Sequence, residues 1–231
     1  MSPEYYNFLR RLVLLQKHLL PPIKPVYSDE EYDKTRGFIT LVHAEIEAFV
    51  EDRCSYVLTE TRTRWQASRN ANRILFALYA MCYSGWSALN DDMTALPKLS
   101  RQFDLAARVG SSFTQYEHLV SDNNGITEPN LKKLLIPLSI RLSDLDPNWL
   151  IEMTNFGSSR GGVVHKSWKA NQPPDPGTVS TLIRTILLPG LNRLDRELTA
   201  VLAAAGPQVQ TKRIRDRVLS AYRMIATGRL S

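Results

Sequence analysis

The segment Gly157-Ser158-Ser159-Arg160-Gly161-Gly162-Val163-Val164-His165-Lys166-Ser167 holds a permanent cation and a neutral-pH acid-base group with four residues between them. Arginine presents a planar fork of N–H donors that matches phosphate oxygens. Histidine gives or takes a proton near pH 7 without a metal. Together they suit acid-base chemistry on a phosphate. On a regular helix each residue turns by about 100°, so Arg160 and His165 leave the axis roughly 140° apart. For both to reach one phosphate, the helix must be distorted or a second copy of the segment must be brought alongside. Gly161 and Gly162 make distortion cheap, because glycine tolerates backbone angles that other residues avoid. A two-fold dimer instead places the pairs of both subunits in one cleft. Without context, the same spacing also describes a surface cation and a satisfied histidine near a helix start.

Other side chains are weighed against this pair. Glu47 lies one helical turn from His43 among apolar neighbours. It reads as a group that orients Arg160 or His165 through a charged hydrogen bond, as a partner of His43, or as a solvated acid. Glu45 reads as solvated. Lys166 and Lys169 follow His165 and are placed to track an RNA backbone; Trp168 offers a stacking face or a core or dimer contact. The glycines around Arg160 lack the lysine-hydroxyl pair and preceding strand of a phosphate loop. Asp91-Asp92 reads as an exposed loop pair. Cys54 and Cys82 sit inside apolar helical patterns and read as buried free thiols. The four histidines are scattered and no cysteine pair stands near them, so zinc-ligand spacing is absent. No metal and no cofactor is expected.

The elements that must position these groups are helical. Three- and four-residue spacings dominate and strand-like alternation is lacking, which predicts an all-α chain. A first helix over about residues 4 to 20 stops at Pro21-Pro22. Ser28 and Glu31 fit a capping box at the start of a long helix, whose stripe is Ile39, Val42, Ile46, Phe49, Val50 and Val57. A further helix carries Ile74, Leu75, Leu78, Tyr79 and Cys82 and ends near Gly85. The segment from Asn90 to Pro97 reads as a loop, and a helix is predicted over about 101 to 120. Asp122-Asn123-Asn124-Gly125 is a turn signal, and Thr127-Glu128-Pro129 a helix start, that helix ending before Pro137. Asp146-Pro147 opens a short helix leading into the Arg160 segment. A loop is expected over 171 to 177, then one long helix over about 178 to 204, and a basic amphipathic helix in the tail with Lys212, Arg213, Arg215, Arg217 and Arg223.

The chain has 231 residues, 43% of them apolar, and a formal charge of +6. That length holds one domain with short appendages, read as 1–27 (helix and connector), 28–205 (the helical domain) and 206–231 (a basic helix packed on it). The charge excess is compatible with a nucleic-acid partner and with an ordinary solvated surface. No run reaches the roughly 20 apolar residues that cross a bilayer, and the N-terminal stretch reads as an amphipathic helix, not a signal peptide. No membrane association and a cytoplasmic location are expected.

Several segments in order resemble the HEPN domains, and among them the RiboL-PSP type. The stretch Leu41-Val42-His43-Ala44-Glu45-Ile46-Glu47-Ala48-Phe49-Val50 is similar to that family's early acidic-apolar helix. Asn123 through Leu135 is similar to its middle section, and Asp146-Pro147-Asn148-Trp149-Leu150 followed by Arg160 and His165 to its approach to the arginine-histidine motif. The resemblance covers roughly residues 30 to 200. It implies an all-α bundle that forms a homodimer and, in active members, cuts RNA without a metal. Such proteins serve as toxins or as defence effectors against phage, with a cognate antitoxin or defence-system partner. It further implies that His165 transfers the proton and that Arg160 holds the phosphate. Gly161 departs from the family's pattern, which often has a polar residue, commonly asparagine, directly after the arginine. Asn155, Ser158 and Ser159 are the nearby groups able to replace it. The alternative is a non-catalytic HEPN-like module that binds RNA or a protein.

Overall fold

The computed structural model describes residues 1–82, 105–165 and 174–205, and for 159–165 the backbone alone. The Asn90–Pro97 loop, Lys166, Trp168, Lys169, the segment 171–173 and the basic tail 206–231 lie outside the described residues. Among the described residues no strand occurs, and the chain is all-α.

Helix α1 (Pro3–Leu19) begins where the Ser2 hydroxyl accepts the Tyr5 N–H at 3.0 Å, with proline at its first position. Helix α2 (Asp29–Ser68) is the spine, 40 residues and so about 60 Å long. The Ser28–Glu31 capping box forms in both directions. Arg69, in the left-handed region at φ 55°, closes the far end. Tyr5, Phe8, Leu12 and Leu15 of α1 are buried in the same core as the α2 stripe, and the Phe8 ring stacks on Phe49 at 5.4 Å. Glu45 keeps part of its side chain in solvent and is also paired. Packing α1 along α2 brings Arg11 within 2.8 Å of its partly buried carboxylate.

Helix α3 (Arg73–Cys82) and helix α4 (Leu105–Ser121) pack on each other, and α4 packs on α2. Helix α5 (Glu128–Leu135) buries Leu131, Leu134 and Leu135. The turn before it is pinned by side chains. Asn123 Nδ2 donates to Glu51 Oε1 of α2 at 2.7 Å and to the Gly125 carbonyl at 3.1 Å, and Asn130 donates to Asn123 at 3.3 Å.

Helix α6 (Pro147–His165) is one continuous element, longer than the short helix expected from Asp146-Pro147. The last predicted helix also differs. It starts earlier, as helix α7 (Pro176–Leu182), because the Asp175 carboxylate accepts the Thr178 N–H at 2.6 Å and proline fills the first position. One π turn, Ile183–Leu187, then separates α7 from helix α8 (Leu188–Ala204). Pro189 supplies the reason: it has no N–H to bond back, and its ring crowds the carbonyl four residues earlier, so a wider turn relieves both. The Leu187 carbonyl within that turn accepts the Trp149 indole N–H of α6 at 3.2 Å. Trp149 lies flat on α8 at Gly190, where a Cβ would come within 2.0 Å of the indole ring.

A buried charge cluster ties three helices together. Arg53 of α2 and Asp195 of α8 are 2% and 0% exposed, with Nε and Oδ1 2.9 Å apart. Arg53 also reaches Glu4 of α1 at 3.2 Å and Thr199 at 3.0 Å, and the Ser2 N–H donates to Asp195 at 2.9 Å.

Candidate functional site

Four contacts anchor α6 before it reaches Arg160. Trp149 is clamped on Gly190 and Leu187. Thr154 Oγ1 accepts the Glu128 N–H at 2.9 Å, satisfying an orphan donor at the start of α5. Gly157 lets α6 approach the Ile126-Thr127 turn, where an added Cβ would stand 3.2 and 3.3 Å from their side chains. The buried Phe156 then stacks on His43 of α2, centroids 6.5 Å apart with the ring planes 22° from parallel. Arg160 follows Phe156 by one helical turn, and α6 continues through Gly161 and Gly162 to His165 without a break. Arg160 and His165 therefore sit about 140° apart around one regular helix.

The middle of α2 contributes His43 and Glu47. Glu47 Oε2 lies 3.8 Å from His43 Nδ1, and the side chains are 16% and 2% exposed. Of the three readings of Glu47, the solvated acid is the one this burial rules out. The His43–Glu47 pair sits under Phe156, at the level of α2 where α6 crosses. Asn155 and Ser158 are exposed on α6, and Ser159 lies on its helical backbone. Lys166 and Lys169 lie outside the described residues.

The thiols are unsuited to nucleophilic work. Burial pushes Cys54 up to about 12 and Cys82 up to about 11, so neither is a thiolate near neutral pH. Both are free and buried. Among the described residues, no group of three or more His, Cys, Asp or Glu is placed to hold a metal ion, and no helix is long and apolar enough to cross a membrane.

Two features escape a reading by motif. Arg53 falls within the α2 stripe between Val50 and Val57, and Asp195 within the α8 stripe between Leu194 and Leu198. A single charge at a core-facing position of each helix was the available signal for their pairing. The other is the end of α2, where Arg62, Trp65, Gln66 and the closing residue Arg69 line an open cleft against α4.

No family model, no curated protein and no solved structure matches the chain.

Proposed function

We propose that the chain is a metal-independent endoribonuclease of the HEPN kind, working as a homodimer with Arg160 and His165 of both copies in one cleft. The observation that carries this reading is the placement of the segment: the turn before Arg160 packs through Phe156 on the His43–Glu47 pair, midway along the long acidic-apolar helix. The unbroken course of α6 through Gly161 and Gly162 favours the second-copy route over local distortion.

In the reaction, a ribose 2′-oxygen bonds to the adjacent phosphorus as the bond from phosphorus to the 5′-oxygen breaks. The 2′-hydroxyl proton is removed and a proton is delivered to the departing 5′-oxygen, leaving a cyclic phosphate and a 5′-hydroxyl. His165 moves the proton, and Arg160 holds the phosphate and stabilises the charge that develops on its oxygens. Glu47 is a positioning residue. A toxin or an anti-phage effector is the setting that fits such an activity, with an antitoxin or a defence-system protein as partner. Gly161 favours a second reading, a non-catalytic HEPN-like module that binds RNA or a protein.

The test is RNA cleavage by the full chain with EDTA present. His165→Ala is expected to lower the rate to background, a loss of at least about 10²- to 10⁴-fold. Arg160→Ala is expected to lose cleavage as well, with the helical circular dichroism unchanged in both. Wild-type protein that binds RNA without cutting it, equally well in both variants, supports the second reading.

A further inference from the structure

The last two turns of α2 carry Arg62, Trp65 and Gln66 at i, i+3 and i+4, the spacing of one helix face, and Arg69, the left-handed residue that closes the helix, lines the same cleft. Such a face normally packs apolar side chains on its neighbour. Here it stands over an open cleft of about 350 Å³, walled on the other side by α4. That volume is in the range of small-molecule sites.

The cleft has a cationic rim over a buried aromatic floor. Trp65 and Phe113 are buried in its walls. The Arg62 guanidinium lies 5.1 Å from the centre of the Phe113 ring, and that of Arg69 lies 5.6 Å from the Trp65 ring. Arg62 is also held by Glu117 at 2.7 Å. Among the described residues no carboxylate lies within ion-pairing distance of Arg69, which gives the cleft a net positive charge. On the α4 side the wall recedes at Gly110, where an added Cβ would meet no atom of the described residues within 4 Å.

Planar guanidinium faces backed by buried rings, beside an uncompensated cation, describe a ligand with its own planar ring and its own anion. Nucleobases stack on aromatic rings and arginine planes, while arginine forks bind phosphate. We propose that this cleft binds a nucleotide, its phosphate on Arg69 and its base on the Arg62 guanidinium in the space beside Gly110, with Gln66 on the rim as a hydrogen-bonding group. The cleft is separate from the Arg160 segment. Arg62 and Arg69 are 15 and 22 residues beyond Glu47, about 22 and 33 Å along α2. The proposal rests on the cleft alone and holds whether or not the chain cuts RNA.

The experiment measures binding of AMP and of a short, fluorescently labelled single-stranded oligoribonucleotide to the full chain, by calorimetry and by anisotropy with EDTA present. Arg69→Asn removes the guanidinium and keeps a residue that tolerates the left-handed backbone. Gly110→Leu fills the open space and improves helix propensity, so it keeps or raises the melting temperature. Each is expected to weaken binding by at least about tenfold. Arg69→Asn should also reduce the salt slope of oligonucleotide binding by about one. An oligonucleotide that binds no tighter than AMP assigns the cleft to a free nucleotide, and a tighter one assigns it to a strand. Absence of binding by wild type, or unchanged affinity in both folded variants, overturns the proposal. So does an acidic peptide of equal charge that displaces the oligonucleotide equally well.

Discussion

Cys54 lies wholly inside the core, and burial pushes its thiol up to about 12 against an ordinary value of 9.0. In the unfolded chain the thiol loses its proton near pH 9; in the folded chain it keeps it. Above pH 9 the unfolded state therefore binds fewer protons, and stability falls as pH rises, by up to about 1.4 kcal/mol per pH unit for each such thiol. Urea unfolding at pH 8, 9 and 10 is expected to show this decline, and Cys54→Ala to show a shallower one. Equal slopes in the two proteins would contradict the assignment. At this scale much was legible. The Ser28 cap, the buried cysteines and the stripe from Ile39 to Val57 all follow from spacing and chemical type. The pairing of Glu45 was not, because its partner Arg11 is 34 positions away and is brought close only by packing α1 on α2.

Among the elements, α6 matters most, since its anchoring fixes where Arg160 and His165 stand. Gly190→Ala places a methyl group inside the Trp149 ring position and is expected to destabilise the fold by at least about 1–3 kcal/mol in denaturant titration. Combined with Trp149→Leu, which vacates that space, the loss should be less than the sum of the two single changes. An additive double variant would show that the contact does not hold α6. Periodicity was a good guide to the existence of the helices and a poor guide to the π turn. The leucine stripe around residues 182 to 202 reads as one helix, and the consequence of Pro189 appears only when its ring must fit beside a carbonyl four residues back. The loop expected through Gly177 ended early for a similar reason, a local cap on Asp175 that overrides the turn-forming character of Pro-Gly.

Across the whole molecule, Arg53 and Asp195 join α1, α2 and α8 at the point where a compact helical bundle would otherwise bury only hydrocarbon. Removing one partner strands the other charge in the core, so Arg53→Ala is expected to cost about 3–5 kcal/mol in equilibrium unfolding. Arg53→Met with Asp195→Leu should cost less than the sum of the single changes. The long acidic-apolar helix and the later arginine-histidine segment were both visible in sequence. Their meeting through His43 and Phe156 was not, because it depends on the register at which α6 crosses α2. The measurement that tests the central claim most directly is mass spectrometry of RNA incubated with the purified full chain and excess EDTA. Wild type is expected to give fragments ending in a cyclic phosphate, with 5′-hydroxyl partners, and folded His165→Ala none above background. Fragments that persist in His165→Ala, or that form only when a divalent metal is restored, would contradict it.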